Sequence, residues 1–268
     1  MRRVRQSAWL LLALVALGSL GAGLWAPADY ATQFREAPNS APSYQHLLGT
    51  DELGRDRFSR VLYGTRVSLL MAPAAALLST LLATLVGGIA GYLGGWCERT
   101  AMAATDLFLS MPWLFLLLAV RAMLPLNVSP IASMAVTFLL LGLLGWAASA
   151  RVLCAGARGL RHSDFVLQAR ASGLRGFRLL AIHVMPNLKP VLLAQFWISI
   201  PVFIISEANL GILGLGVSEP LPSWGSLLRE LESLTSFGFE AWKLVPLALL
   251  VLVVSSFQII LSGDEVHA

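Results

Sequence analysis

Charge is scarce in this sequence. Asp, Glu, Lys and Arg make up 13% of the 268 residues, where a soluble domain carries about 25%. Hydrophobic residues make up 57%, and mean hydropathy is +0.74. A soluble fold of this size would lack the polar surface to dissolve it, so the composition points to a polytopic membrane protein. Lysine is nearly missing, with only Lys189 and Lys243. Neither follows a glycine, so there is no Gly-x-x-x-x-Gly-Lys-Ser/Thr loop to cradle phosphates, and any ATP used must be bound by another chain. Cys97 and Cys154 stand apart. Their spacing suggests neither a disulfide framework nor a zinc knuckle, and each reads as a small apolar filler. His46, His162, His183 and His267 have no mutual spacing for metal ligation or acid–base work. No His-Glu-x-x-His, Gly-x-Ser-x-Gly or dinucleotide fingerprint occurs. The chain therefore reads as no enzyme, with no catalytic residues, no metal site and no cofactor of its own. Its net charge of +4 is spread through loops, which fits membrane orientation better than a nucleic-acid surface.

What is present is apolar runs. They predict an all-α fold with six transmembrane helices, over about 8–26, 67–93, 101–123, 131–150, 191–215 and 244–261. Arg2, Arg3 and Arg5 precede the first run, which is too long for a signal-peptide core; an uncleaved anchor with a cytoplasmic N-terminus is expected. Residues 1–66 then form a cytoplasmic arm, a first span and an outer amphipathic segment. Residues 67–268 form a five-helix core with a cytoplasmic loop at about 151–189. Within 46–70, Thr50 or Asp51 reads as a cap and Arg57 and Arg60 continue at helical spacing, which predicts an amphipathic helix at the outer interface. With Arg35, Arg55 and Arg66, the segment 27–66 holds five arginines, a poor fit to the positive-inside rule. Gly87-x-x-x-Gly91 and Gly91-x-x-x-Gly95 are patterns for close helix packing. Trp96 to Arg99 reads as a short turn. Pro112 should kink the third span, and Asp106 reads as a solvated or arginine-paired helix end.

The longest later stretch that lipid cannot hold is Asp164 to Pro186. The wider loop from Arg151 to Lys189 carries seven Arg and Lys against one Asp, which puts it in the cytoplasm. Ser163 can cap a helix over 164–172 with Asp164 at its positive end, and Gly173 is placed to end it. A second helix is expected over 177–185, broken by Pro186. Phe165, Val166 and Ala169 offer an apolar face flanked by Arg170, Arg175 and Arg178. Such a helix pair suits either a cleft on a partner or an anionic lipid surface, and the residues alone leave both open. The deep acid Glu207, beside Ser206, is open in the same way between a structural hydrogen bond and a pathway-lining role.

Residues 167–186 resemble the cytoplasmic EAA loop of ABC-importer permeases. Leu167-Gln168-Ala169, three residues, Gly173, nine residues and His183-Val184-Met185-Pro186 occupy that frame. Leu167 and Gln168 depart from the family's acid and alanine. Two further stretches are similar to the C-type subunit of dipeptide, oligopeptide and nickel importers. One is His46-x-Leu-Gly49-Thr50-Asp51-Glu52-Leu53-Gly54-Arg55-Asp56, followed by Tyr63-Gly64-x-Arg66-Val67-Ser68-Leu69. The other is Ser206-Glu207-Ala208 with Leu213 to Val217, then Pro222-Ser223-Trp224-Gly225. Gly263-Asp264 resembles the pair after that subunit's last span. The resemblance implies a type I ABC-importer permease fold in a bacterial inner membrane. It implies a second, B-type permease, two ATPase subunits that carry ATP and Mg, and an extracytoplasmic binding protein as partners. It also implies that the loop couples ATP hydrolysis to transport of peptides or nickel. A secondary transporter or channel is the main competitor, but no internal repeat supports it. A scaffold that moves nothing is the third reading.

Overall fold

The computed structural model describes residues 2–124, 128–231 and 241–262. The expected Gly263-Asp264 tail and the acids Glu232 and Glu240 lie outside those residues. Among the described residues the fold is all-α, with only isolated bridges between short extended stretches. The main helices are α1 (Arg2–Leu20), α2 (Arg57–Leu93), α3 (Gly95–Ser110), α4 (Trp113–Met123), α5 (Pro130–Arg161), α6 (Asp164–Ala171), α7 (Gly176–Ile212), α8 (Trp224–Arg229) and α9 (Ala241–Ser262). Long apolar helices follow from the solvent they meet: in lipid every backbone N–H and C=O must be paired within its own segment.

Among the described residues four helices, α2, α5, α7 and α9, are long and apolar enough to cross a membrane. The pair α3 and α4 makes a fifth if taken as one span, bent by 81°. The expected count of six is thus met in part. α1 starts at the arginines and ends at Leu20, and a further helical turn over Ala22–Trp25 follows it to the end of the apolar run that was read to residue 26. The third span is broken rather than kinked. Met111 is extended at φ −82° and ψ 132°, because the ring of Pro112 crowds the residue before it out of the helical region.

The chain divides into two compact units, Met1–Ala72 with Val120–Phe138 and Pro201–Ala268, and Pro73–Ala119 with Leu139–Ile200. In the first, α1 packs on α9. Trp224 is fully buried, and its indole N–H donates to the Thr65 hydroxyl at 3.0 Å. Gly211 of α7 meets the backbone of Gly225, where a methyl group would come within 2.3 Å.

In the second unit the end of α2 lies on α5. A methyl group on Gly87 would meet the Ala150 carbonyl oxygen at 2.0 Å, and one on Gly91 the Cys154 carbonyl oxygen at 2.3 Å. The glycine pattern is therefore a backbone-to-backbone contact. Trp96 to Arg99 is not a turn. The reversal is made by Gly94 and Gly95, with φ of 68° and 59°, and α3 starts at once. Glu98 of α3 pairs with Arg158 of α5. Arg151 Nε donates to Asp106 Oδ1 at 2.8 Å, the arginine-paired end that was expected.

Candidate functional site

The basic loop lies within the second unit and is built from α6 and the start of α7. Ser163 holds the cap position in extended backbone, but its hydroxyl donates to the Leu160 carbonyl at 2.6 Å instead of capping the helix. Asp164 opens α6 in the first turn, where the helix dipole favours an acid. Gly173 closes it at φ 89°. The Gly173 N–H donates to the Arg170 carbonyl at 3.0 Å and the Leu174 N–H to the Ala169 carbonyl at 3.1 Å. That paired arrangement satisfies the last carbonyls and needs a left-handed residue.

The anticipated apolar face is split by the fold. Val166 and Ala169 are buried in a cluster with Ala157, Leu179, Val184 and Leu188 of the same unit. This side of α6 is thus covered by the protein itself. Tyr92 of α2 donates from its hydroxyl to the Gly176 carbonyl at 2.9 Å, clamping the α6–α7 joint. Phe165 and Leu167 face outward with Phe177 and Ile182, at 39%, 48%, 80% and 50% exposure. Arg175 and Arg178 are exposed beside them, Arg170 is half-buried, and His183 is half-buried on α7. The exposed face is therefore mixed apolar and cationic.

The second helix of this loop is not broken at Pro186. α7 runs through it to Ile212. A widened π turn over Leu180–Val184 precedes the proline, and the Met185 N–H donates to the Leu180 carbonyl. The shifted register makes room for a ring that would otherwise clash with the preceding turn.

The outer-segment motif also folds differently from its reading. No helix forms over 46–56. Gly49 and Gly54 have φ of 68° and 75°, and a methyl group on either would lie 2.2 to 2.3 Å from a backbone oxygen, of Ser40 and Phe34. Asp51 folds the turn: Oδ1 accepts from the Leu53 and Arg55 N–H groups at 2.9 and 2.8 Å, and Oδ2 from Arg55 Nε at 2.6 Å. Thr50 donates its hydroxyl to the Ala37 carbonyl. The cap of α2 is Asp56, not Thr50 or Asp51. Its Oδ2 accepts from Ser59 N and Oγ at 2.8 and 2.7 Å, and its Oδ1 meets His46 Nδ1 at 3.0 Å.

The arginines read as an interfacial face are drawn inward. Arg60 is fully buried and reaches Glu219 at 3.0 Å and Glu230 at 3.5 Å. Arg57 reaches Glu230 at 2.7 Å, and Arg55 pairs with Asp51 and Glu219. Burial works against the charged form of Arg55, but the Glu219 and Asp51 carboxylates outweigh it and raise the guanidinium above its ordinary value. A cavity of about 330 Å³ adjoins these groups, lined by Glu52, Ser226 and Arg229 among others.

Glu207 of α7 is fully buried in the same unit. Its Oε2 accepts from the Gly225 N–H at 3.3 Å and from the Ser68 hydroxyl at 3.5 Å. Ser68 also accepts from the Trp224 N–H at 3.2 Å. Glu207 thus ties α2, α7 and the start of α8 together. Ser206 is not part of this knot: its hydroxyl donates to the Val202 carbonyl of its own helix at 2.8 Å.

Sequence reasoning passed over Arg121. It is 1% exposed at the end of α4. Nη2 donates to the Ser133 hydroxyl at 3.1 Å and the Gly216 carbonyl at 3.4 Å, while Nε and Nη1 find no acceptor among the described residues. An arginine inside the apolar run from Trp113 to Leu126 was the available signal.

Comparison with known proteins gives a consistent picture. The model of the family described as "Binding-protein-dependent transport system inner membrane component" matches residues 83–263. The chain is similar to the oligopeptide transport system permease protein of Bacillus subtilis, 30% identical over 256 residues, covering 95% of this chain and 81% of that one. It is similar to the di/tripeptide transport system permease protein of Pseudomonas aeruginosa, 33% identical over 262 residues, covering 95% and 83%. It is also similar to the glutathione transport system permease protein of Pectobacterium atrosepticum, 32% identical over 237 residues, covering 87% and 77%.

Proposed function

The chain belongs to the family of binding-protein-dependent transport system inner membrane components, the permease subunits of ABC importers, and we propose that it forms half of a pathway for short peptides. In this reading α6 and the start of α7 are the contact to a separate ATPase. Peptides are the cargo favoured by the relatives, which carry oligopeptides, di- and tripeptides and glutathione by name. The nickel alternative is not favoured by them.

The observation that carries the coupling role is the split face of α6. Val166 and Ala169 anchor it to its own unit, while Phe165, Leu167 and Phe177 remain outside beside Arg175 and Arg178. A helix fixed on one side and bare on the other transmits a push as a rigid element. Leu167 stands where the family's loop carries an acid, so the contact there is apolar. A matching cleft on the ATPase would be apolar with acidic flanks for the arginines. A second, B-type permease completes the pathway, two ATPases bind ATP and Mg, and an extracytoplasmic binding protein delivers the cargo. The N-terminus is then cytoplasmic, in line with Arg3 and Arg5 at the start of α1. Closure of the ATPases around ATP moves both loops and turns the pathway outward; hydrolysis resets it.

The test is reconstitution of the complete transporter in vesicles. ATP-driven uptake of a labelled dipeptide, and none of nickel, is the expected result. In a Cys97→Ser background, which removes the exposed native thiol, Leu167→Cys should cross-link to the ATPase and Leu81→Cys, on an outward face of α2, should not. Dipeptide uptake that proceeds without ATP would overturn the importer reading; equal labelling of the ATPase from both positions would overturn the coupling assignment.

A further inference from the structure

A second cavity, of about 220 Å³, lies in the first unit where the ends of α4 and α7 meet the segment leading to α8. Its lining contains two guanidinium groups, from Arg121 and Arg229. Arg121 is buried, and among the described residues no carboxylate reaches it. Among the described residues its acceptors are the neutral Ser133 hydroxyl and the Gly216 carbonyl, and two of its nitrogens have none. The dipole of α4 favours a cation in the last turn, but that effect is small against the cost of a buried guanidinium. Arg229 is exposed at the end of α8, beside Gly214, where a methyl group would come within 3.0 Å of Nη1. The missing side chain at Gly214 leaves space next to the guanidinium.

We propose that Arg121 and Arg229 together form a binding site for a carboxylate, and that the carboxylate is the free C-terminus of the transported peptide. The second half rests on the peptide reading above; the first does not. A guanidinium offers parallel N–H donors that match the two oxygens of a carboxylate. Ser218 and Ser226 lie at the same cavity and supply neutral polar contacts. Glu219 also lines it. Its charge is offset by Arg55 and Arg60, which leaves the two guanidinium groups of Arg121 and Arg229 to meet the ligand. The adjoining 330 Å³ cavity shares Glu219, Ser226 and Arg229 and adds Asp51, Glu52 and Glu230 together with Arg55 and Arg57. Asp51, Glu219 and Glu230 are held by arginines, but Glu52 is exposed there with no ion-pair partner among the described residues, and it can meet the ammonium end of a zwitterion. A fatty acid lacks that second charge.

The test uses the complete transporter and reads the arginines directly. Phenylglyoxal modifies exposed guanidinium groups, and peptide mapping by mass spectrometry reports each site. N-acetylalanine should slow modification of Arg229 by about tenfold, the scale of one lost charge-assisted contact, and leave the exposed Arg66 unaffected. N-acetylalanine amide, with no carboxylate, should protect neither. Arg121→Gln should abolish the protection and Arg121→Lys should keep part of it. Equal protection by acid and amide, or full protection in Arg121→Gln, would overturn the site. The comparison of acid with amide on the unaltered protein stands even if Arg121→Gln fails to assemble. Dialanine uptake is measured on the same vesicles. Uptake without protection sinks the site alone; protection without uptake sinks the peptide assignment and leaves a carboxylate site of another substrate.

Discussion

Gly173 is the position at which the coupling role can be tested with the least damage elsewhere. Its φ is 89°, and a methyl group added there would meet nothing within 4 Å. Substitution therefore carries a torsional cost and no clash. For an ordinary L-residue the left-handed conformation costs about 1–2 kcal/mol, which corresponds to roughly 5–30-fold in the population of the closed α6 end. A β-branched residue is worse off, because such residues are genuine outliers at positive φ. Asparagine tolerates the conformation best after glycine. The series Gly173→Asn, Gly173→Ala, Gly173→Val should thus give graded losses, with little change for Asn, a fall near the lower end of that range for Ala, and a fall at or beyond its upper end for Val. The readout is dipeptide uptake per ATP hydrolysed in vesicles holding the complete transporter, with the amount of inserted protein measured in parallel. That amount should stay constant, since the strain is confined to two backbone bonds, to Arg170 and to Ala169. Normal coupling in Gly173→Val, or equal effects of Asn and Val, would refute the idea that a fixed α6 end transmits the movement.

Two other predictions concern the framework. Gly87→Ala and Gly91→Ala should each destabilise the protein by about 1–3 kcal/mol through overpacking against α5, measured as loss of the folded peak on heating in detergent; Gly159→Ala, whose added methyl meets nothing within 4 Å, should be neutral or mildly stabilising. Glu207→Gln keeps an acceptor for the Gly225 N–H and should change stability by less than about 1 kcal/mol, whereas Glu207→Ala leaves the Gly225 and Ser68 donors buried and should cost about 1–3 kcal/mol or more; a selective loss of transport in Glu207→Gln with stability unchanged would point to a pathway role.

Much of the framework was legible because lipid imposes simple rules. Apolar runs of sufficient length marked α2, α5, α7 and α9, and the glycine spacing marked the α2–α5 contact. Gly173 was legible as a helix stop because few residues tolerate its conformation. The misreadings share a cause in long-range geometry. Arg60 and Glu219 are 159 positions apart in the chain, and no periodicity within 46–70 announces that pair. Helical spacing of Arg57 and Arg60 was real, since both lie on α2, but burial by a distant segment turned a supposed interfacial face into an ion-pair cluster. Pro186 was read as a breaker because local rules price the missing N–H, while the π turn before it is a whole-helix solution. Phe165, Val166 and Ala169 were grouped by type; only the packing of Leu179, Val184 and Leu188 shows which of them the chain keeps for itself.

The arginine-rich outer segment raised an objection to the orientation proposed here, and burial separates three of its five arginines from the basic residues of the 151–189 loop, while Arg35 and Arg66 stay exposed. Arg55, Arg57 and Arg60 have side chains no more than 12% exposed, each held by a carboxylate of Asp51, Glu219 or Glu230. In the other group, Arg151 and Arg158 are 52% and 56% exposed, and Arg175, Arg178 and Lys189 are exposed as well. Arginines of the first kind are needed by the fold whichever side they occupy, because removing one would strand buried carboxylates. Of the second kind, Arg151 and Arg158 pair with Asp106 and Glu98. Arg175, Arg178 and Lys189, by contrast, have no ion-pair partner among the described residues, so the fold does not require them and their accumulation in one loop fits a cytoplasmic placement. The positive-inside argument is therefore strongest when it weighs the exposed group, and that group supports the cytoplasmic placement of the 151–189 loop proposed above.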